Sequence, residues 1–352
     1  MVATLAVEVD GRSEGGLRAG ARRILKHVRP NWPHDRLHFK TYTAGVTNIL
    51  VGVWCESERD QVLVRVYGNN THLFIDRQEE INTMKSVTHE NVWRAVSKQV
   101  AKIHKIQVRG QGTKDTGQGA RDTGQGARGT GQGTRDKRYR SGDKPGDKRN
   151  PMLFPKLRKF LSLLPDSFSD AEKQKRVAAS GCTKKLLSQM SDELEDHLVP
   201  LGCPVVFCHN DLLVRNIIWD DDHGSVTFID FEYAAPNYQP FDIANHFNEY
   251  SGMEELDWTR YPSPDVQRSW LRSYLSEYQG VVEDEVTLQD IELWRGWVTK
   301  FTLASHLLWG VWGLLQACHS SLDFDYITYG ISRIAEYKRR KEEIFRLDVA
   351  MK

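Results

Sequence analysis

The chain has 352 residues, 39% of them apolar, with 48 Lys and Arg set against 47 Asp and Glu. That length suits two lobes with a substantial core, and a net charge of +1 excludes a global electrostatic pull toward nucleic acid or acidic lipid. The cysteines Cys55, Cys182, Cys203, Cys208 and Cys318 form no CxxC pair, so reduced thiols in a cytoplasmic protein are expected, not a disulfide framework or a zinc site.

The opening MVATLAVEVDGRSEGG holds an apolar stretch too short, and too soon followed by acids, to read as a secretion signal. From Arg36 to Gly68, RLHFKTYTAGVTNILVGVWCESERDQVLVRVYG alternates like strands joined by short turns. HLFIDRQEEINTMKSV then reads as a helix with Leu73, Phe74, Ile81 and Met84 available for a core face, and VWRAVSKQVAKIHKI, starting at Val92, as another. Four tandem seven-residue units begin at Gly110 (GQGTKDT, GQGARDT, GQGARGT, GQGTRDK) and lack the two apolar positions of a coiled coil. Their Gly-rich, basic composition cannot offset ordering entropy, so a disordered insertion is expected over 110–150; Arg and Gly alone, with little aromatic interleaving, are a poor RNA site.

Beyond it lie helical MLFPKLRKFLSLL and KKLLSQMSDELEDHL, then Val205–Tyr233, then a mostly helical, Trp- and Tyr-rich C-terminal third. Phe301–Ser321, FTLASHLLWGVWGLLQACHSS, has no charged residue and is long enough to span a bilayer. Ser305, His306, Gln316 and His319 interrupt it and no second span accompanies it, so a buried core helix is expected and no membrane insertion. Strands first and helices later predict an α+β protein in two lobes.

The chemistry concentrates in VVFCHNDLLVRNIIWDDDHGSVTFIDFEY. Asp211 follows a strand-like run, Asn216 comes five residues later, and Asp230 ends the next hairpin. A phosphotransferase needs a carboxylate to orient and deprotonate a hydroxyl, plus hard oxygen ligands for Mg²⁺. Two other readings compete: polar residues that merely cap strand ends, and His209, Asp211 and Asp230 as transition-metal ligands of a hydrolase. The Asn spacing and the hairpin favour phosphotransfer. Trp309 and Trp312 share a helix face and could serve a core or an ammonium site.

These residues, with RPNWPHDRLHFKTYTAGVTNILVGVW, VLVRVYGNNTHLFIDRQEE and FDIANHFNEYSG, resemble the choline/ethanolamine kinase family, most closely its ethanolamine kinases, which carry a Leu-Leu pair after HND. The resemblance implies a protein-kinase-like fold with a small β-rich N-lobe over 1–91, a helix over 92–109 entering the C-lobe, and a large helical C-lobe over 151–352. It implies ATP-dependent phosphorylation of ethanolamine, or alternatively choline, as the first step of phosphatidylethanolamine synthesis by the CDP-ethanolamine route. Carried over by position, Asp211 is the catalytic base, and Asn216 and Asp230 hold Mg²⁺. Gly45, Thr47 and Asn48 of TAGVTN meet the ATP phosphates, and so does Arg65, with Glu80 either its ion-pair partner or a solvated helical acid. Tyr233, Glu249, Trp309, Trp312, Phe324 and Tyr329 line the amino-alcohol site, where Glu249 would balance the ammonium. Between the helix ending near His89 and the one starting at Val92, the family's further N-lobe strands and adenine hinge have no counterpart. This looks like an internal deletion and keeps open a third reading, a non-catalytic member of the family. A monomer and a homodimer are equally compatible with the sequence.

Overall fold

The computed structural model describes residues 13–44, 48–55, 61–67, 90–106, 150–253, 256–320 and 324–348, with side chains in the first three strands described only at 37–41, 51–55, 62 and 64. The helix expected over 72–87 and the repeat insertion lie outside the described residues.

An element not expected from the sequence opens the described chain. Helix α1 (Glu14–Val28) starts where the Ser13 hydroxyl accepts the Gly16 N–H at 3.0 Å, with Glu14 in its first turn and Lys26 and His27 in its last. Cap and charges both suit the helix dipole. Leu17, Ala21 and Leu25 fall one turn apart and form a buried stripe, which joins Trp32, Leu37, Val51, Val53, Cys55 and Val64 in one apolar cluster. The sheet partners are the expected strands β1 (Leu37–Ala44), β2 (Asn48–Cys55) and β3 (Gln61–Tyr67), an antiparallel meander in which Thr41 faces Val51 and Leu50 faces Arg65.

The rest surrounds a second, larger cluster. Helix α2 (Glu90–His104) buries Val92, Val96, Val100 and Ile103. It is followed by α3 (Leu153–Leu163), α4 (Ala171–Ser180) and α5 (Lys184–Leu198). Two short ladders come next: β4 (Val205–Cys208) pairs antiparallel with β7 (Ala235–Tyr238), and β5 (Ile217–Asp220) with β6 (Ser225–Phe228). The Met152 N–H donates to the Pro236 carbonyl at 2.9 Å, so α3 begins beside β7. Helices α6 (Gln239–Glu249), α7 (Pro264–Gln279), α8 (Leu288–His319) and α9 (Tyr326–Phe345) complete the fold.

Residues 301–319 of the uncharged segment belong to α8, and its apolar residues from Phe301 to Leu314, apart from the partly buried Trp312, are buried by neighbouring helices. Among the described residues no helix is long and apolar enough to cross a membrane. Helices α8 and α9 meet at glycines: a Cβ on Gly330 would lie 2.8 Å from the Gly310 carbonyl oxygen, and one on Gly313 would lie 3.0 Å from the Gly330 Cα. Gly330→Ala should therefore destabilise the protein. The overlap with rigid backbone costs about 1–3 kcal/mol, more than the 0.5–1 kcal/mol or so that alanine gains in a helix. A urea midpoint equal to that of the parent chain would show that the two helices can separate freely.

Candidate active site

Asp211, Asn216 and Asp230 sit on the turns between the short ladders, and the local fold explains how they are held. Strand β4 stops at His209, and the chain turns through Asn210 at φ 67°, a left-handed conformation that Asn tolerates better than most residues. The Asn210 side chain repays the strain by donating to the carbonyls of Tyr233 (3.0 Å) and Ala235 (3.2 Å) and accepting from Asn237 at 2.8 Å. His209 Nε2–H donates to the Ile229 carbonyl at 2.9 Å, and its Nδ1 accepts the Asp211 N–H at 3.3 Å. Both ring nitrogens are therefore committed to main chain, and burial lowers the imidazole pKa. His209 is a neutral brace for the loop, which removes the metal-ligand reading of that residue.

A second brace comes from α6. Asp242, Asn245, His246 and Glu249 recur at i, i+3, i+4 and i+7, which puts them on one helix face, and that polar face is buried. The Asp242 carboxylate accepts the N–H groups of His209 (2.9 Å) and Asn210 (2.7 Å), and is bonded from behind by His104 at 3.0 Å. Burial alone would raise this carboxyl, but His104, His209 and the His209 amide bring it below its ordinary value. His246 Nδ1–H donates to the Leu212 carbonyl at 3.1 Å. Asn245 Oδ1 accepts from Ser305 (2.9 Å) and from the Trp309 indole (2.7 Å), tying loop, α6 and α8 together. His104, Cys208 and Asp242 lie close enough to chelate a metal, yet His104 and Asp242 are used up by these bonds and the Cys208 thiol is held at the Asn237 carbonyl.

The loop and the helices enclose a cleft of about 250 Å³. Asp211, Leu213, Asn216, Asp230, Glu232 and Tyr233 line one side; Glu249, Met253, Trp309, Trp312, Gln316 and Tyr329 line the other. Four of these are carboxylates and, among the described residues lining the cleft, none is basic. Burial, then the charges of Glu249, Asp230 and Glu232, pushes the Asp211 carboxyl well above the usual carboxylate range, only partly offset by Asn216. Asn216 Nδ2 donates to the Asp211 carbonyl at 2.8 Å, which turns its Oδ1 away as a buried acceptor with no partner. An orphaned amide oxygen beside the Asp230 carboxylate is a hard-oxygen donor set, and it fits Mg²⁺.

The aromatic wall is ordered by edges and faces. Tyr233 meets Trp309 edge-on (centroids 5.1 Å apart), Trp309 meets Trp312 at 5.5 Å, and the Trp312 indole donates to the Tyr233 hydroxyl at 3.1 Å. Glu249 differs from the expectation of a carboxylate waiting for a cation: it is ion-paired with Arg333 of α9. Arg333 is fully buried, with its guanidinium 5.2 Å from the Tyr329 ring centroid and 5.8 Å from that of Trp258. Arg333 lies one helical turn after Tyr329, a spacing that could have drawn attention to it. Phe324 does not line the cleft; it packs against Tyr326 (4.7 Å) and Tyr329 (5.8 Å) and supports the wall from behind. Among the expected nucleotide-phosphate residues, Asn48 starts β2 and Arg65 lies in β3, with side chains not described, while Gly45, Thr47 and Glu80 lie outside the described residues.

Comparison with known proteins bears on this arrangement. The profile of the choline/ethanolamine kinase family matches residues 83–338. Human ethanolamine kinase 1 is 33% identical, over 99% of this chain and 77% of its own length, and Drosophila melanogaster ethanolamine kinase is 36% identical over 96% and 80%. The human alignment runs over 383 positions, more than the 352 residues here, so the relative has residues where this chain has none. Among solved structures, Plasmodium vivax ethanolamine kinase superposes with a TM-score of 0.64 at 24% identity, covering 93% of this chain and 89% of its own. Cryptosporidium parvum choline kinase does so at 0.59 and 21%, covering 92% and 95%. At those identities both speak for the fold.

Proposed function

We propose that this chain, which belongs to the choline/ethanolamine kinase family, transfers the γ-phosphoryl group of ATP to the hydroxyl of ethanolamine. The observation that carries this reading is the cleft itself, where Asp211, the orphaned Asn216 Oδ1 and the Asp230 carboxylate stand opposite an aromatic and acidic wall.

In this reading Asp211 accepts a hydrogen bond from the substrate hydroxyl and takes its proton as the oxygen attacks. The raised carboxyl pKa suits the role, because a base nearer the working pH has more driving force for proton transfer. Asn216 Oδ1 and the Asp230 carboxylate hold Mg²⁺, which when bound offsets the negative charge of the nucleotide phosphates. The ammonium end lies against Tyr233, Trp309, Trp312 and Tyr329, where each cation–π contact contributes about 0.5–2 kcal/mol. Because Arg333 already holds one Glu249 oxygen, Glu249 offers the ammonium a hydrogen-bond acceptor more than a full unpaired charge. That favours a primary ammonium, which has N–H groups to donate, over a quaternary one, which has none.

The test is phosphoryl transfer from labelled ATP with Mg²⁺, measured on the purified full chain with ethanolamine and choline in parallel. Phosphoethanolamine should form, with kcat/KM for ethanolamine above that for choline by about tenfold, the effect of one well-placed polar contact. Equal turnover of the two alcohols would remove the specificity argument, and no transfer to either would remove the kinase reading.

A further inference from the structure

Mg²⁺ on Asn216 and Asp230 is one positive group that phosphoryl transfer calls for, and no described side chain has been assigned as a second. The transferred group spreads negative charge over its equatorial oxygens, and sites for this reaction place positive groups around it. Among the described residues lining the cleft none is basic. Arg333 is committed to Glu249, and a second cation stands against the ring of Tyr233, which lines the cleft. Lys156, in the first turn of α3, places its ammonium 4.3 Å from the Tyr233 ring centroid and 5.8 Å from that of Phe160. It is half-buried, and its ammonium has no hydrogen-bond partner among the described residues. Helix α3 is pinned beside β7 by the Met152–Pro236 bond, so Lys156 is presented from a fixed base.

We propose that Lys156 is a phosphate-contacting residue of this cleft, reaching past Tyr233 to donate hydrogen bonds to the non-bridging oxygens of the transferred phosphoryl group. The inference rests on the proposed phosphotransfer and goes beyond it by adding a residue to that site. Three features support it. First, the ammonium of the acceptor is drawn to the Glu249 end and repelled by a second cation, so Lys156 serves the hydroxyl end. Second, burial and the neighbouring Lys159 lower the Lys156 pKa, while the charges of Glu232 and Asp211 pull it back up. Lys156 thus feels the carboxylates of the reacting end. Third, a Lys is a flexible point charge with three donors and can follow the phosphoryl group from donor to acceptor.

The experiment is calorimetric titration of the full chain with phosphoethanolamine and, separately, with ethanolamine, for the parent, Lys156→Ala and Lys156→Arg. The expected result is a phosphoethanolamine Kd raised about tenfold or more in Lys156→Ala, an ethanolamine Kd changed less than about twofold, and recovery of most of the phosphate affinity in Lys156→Arg. Three outcomes overturn the proposal: equal weakening of both ligands, no weakening of either, or a parent chain that does not bind phosphoethanolamine. The residue is half-buried at a helix surface, and an unchanged melting temperature confirms that the variants are folded. Turnover by the parent chain, and not this titration, decides the kinase reading, so either can fail without the other.

Discussion

Asp211→Asn is expected to lower kcat for ethanolamine phosphorylation by about 10²- to 10⁴-fold, the usual contribution of a positioned general base, with the KM for ethanolamine little changed. Asn keeps the size of the side chain and, through the main chain, the bond from Asn216 Nδ2 to the residue 211 carbonyl. What it loses is the ability to take a proton. The same substitution should not weaken the fold. The Asp211 carboxyl titrates above its ordinary value because burial and three neighbouring carboxylates oppose its charge. An acid whose pKa is higher folded than unfolded destabilises the fold wherever both forms are ionised. Asp211→Asn should therefore raise the Mg²⁺-free stability at neutral pH, and the gain should vanish in acid, where Asp211 is protonated in both states. Most of the turnover surviving in this variant would refute the role assigned to Asp211; a large loss of stability would refute the electrostatic account.

Arg333→Met should be the most damaging single substitution away from the reacting end. Arg333 is fully buried and Glu249 is 5% exposed, so removing the guanidinium leaves a buried carboxylate without its counter-charge. Such truncations cost about 3–5 kcal/mol, a large share of the stability of an ordinary domain. The loss belongs to the stranded charge and not to the worth of the pair, so Arg333→Met/Glu249→Gln should recover a good part of it. Ethanolamine should also stabilise Arg333→Met more than it stabilises the parent, because its ammonium then supplies the missing cation. Denaturant titrations with and without ethanolamine check both statements. A cost below about 1 kcal/mol for the single variant would mean that Glu249 finds another partner or becomes protonated.

Much of this organisation was legible in the sequence. Period-two alternation marked the stretch that forms β1, β2 and β3. The spacing of Asp211, Asn216 and Asp230 brought the three to one cleft because the β5–β6 hairpin between Asn216 and Asp230 is closed within a few residues and sits inside the β4–β7 ladder. The aromatic wall was partly readable: Trp309 and Trp312 share a face, and Tyr233 and Tyr329 join them. Phe324 was placed one layer too far forward, since an aromatic near the start of a helix can face the cleft or the helix behind it and only packing decides. The pairing of Glu249 with Arg333 was not legible, because it joins residues 84 apart on α6 and α9, and α9 is placed by its close approach to α8 at Gly310, Gly313 and Gly330. Lys156 was invisible because its place on Tyr233 is set by the docking of α3, through the Met152–Pro236 bond and its buried face, against distant parts of the chain. The polar face of α6 could have been found: four polar side chains at i, i+3, i+4 and i+7 look like a solvated stripe, and only the apolar flanks Phe241, Ile243 and Phe247 hint that it is buried.

That helix has a further consequence. Asp242, near the start of α6, fixes the loop that carries Asp211, and Glu249 ends the same helix at the ammonium wall. Seven residues of α-helix at 1.5 Å rise per residue put about 10 Å between them, and a helix is far stiffer along its axis than any loop. On the proposed roles, the distance from reacting hydroxyl to ammonium is gauged by a rod instead of by two independently moving walls. Such a cleft discriminates by the length of the amino alcohol as well as by its head group, and it accommodates a longer chain only by bending the chain, because the rod itself does not stretch.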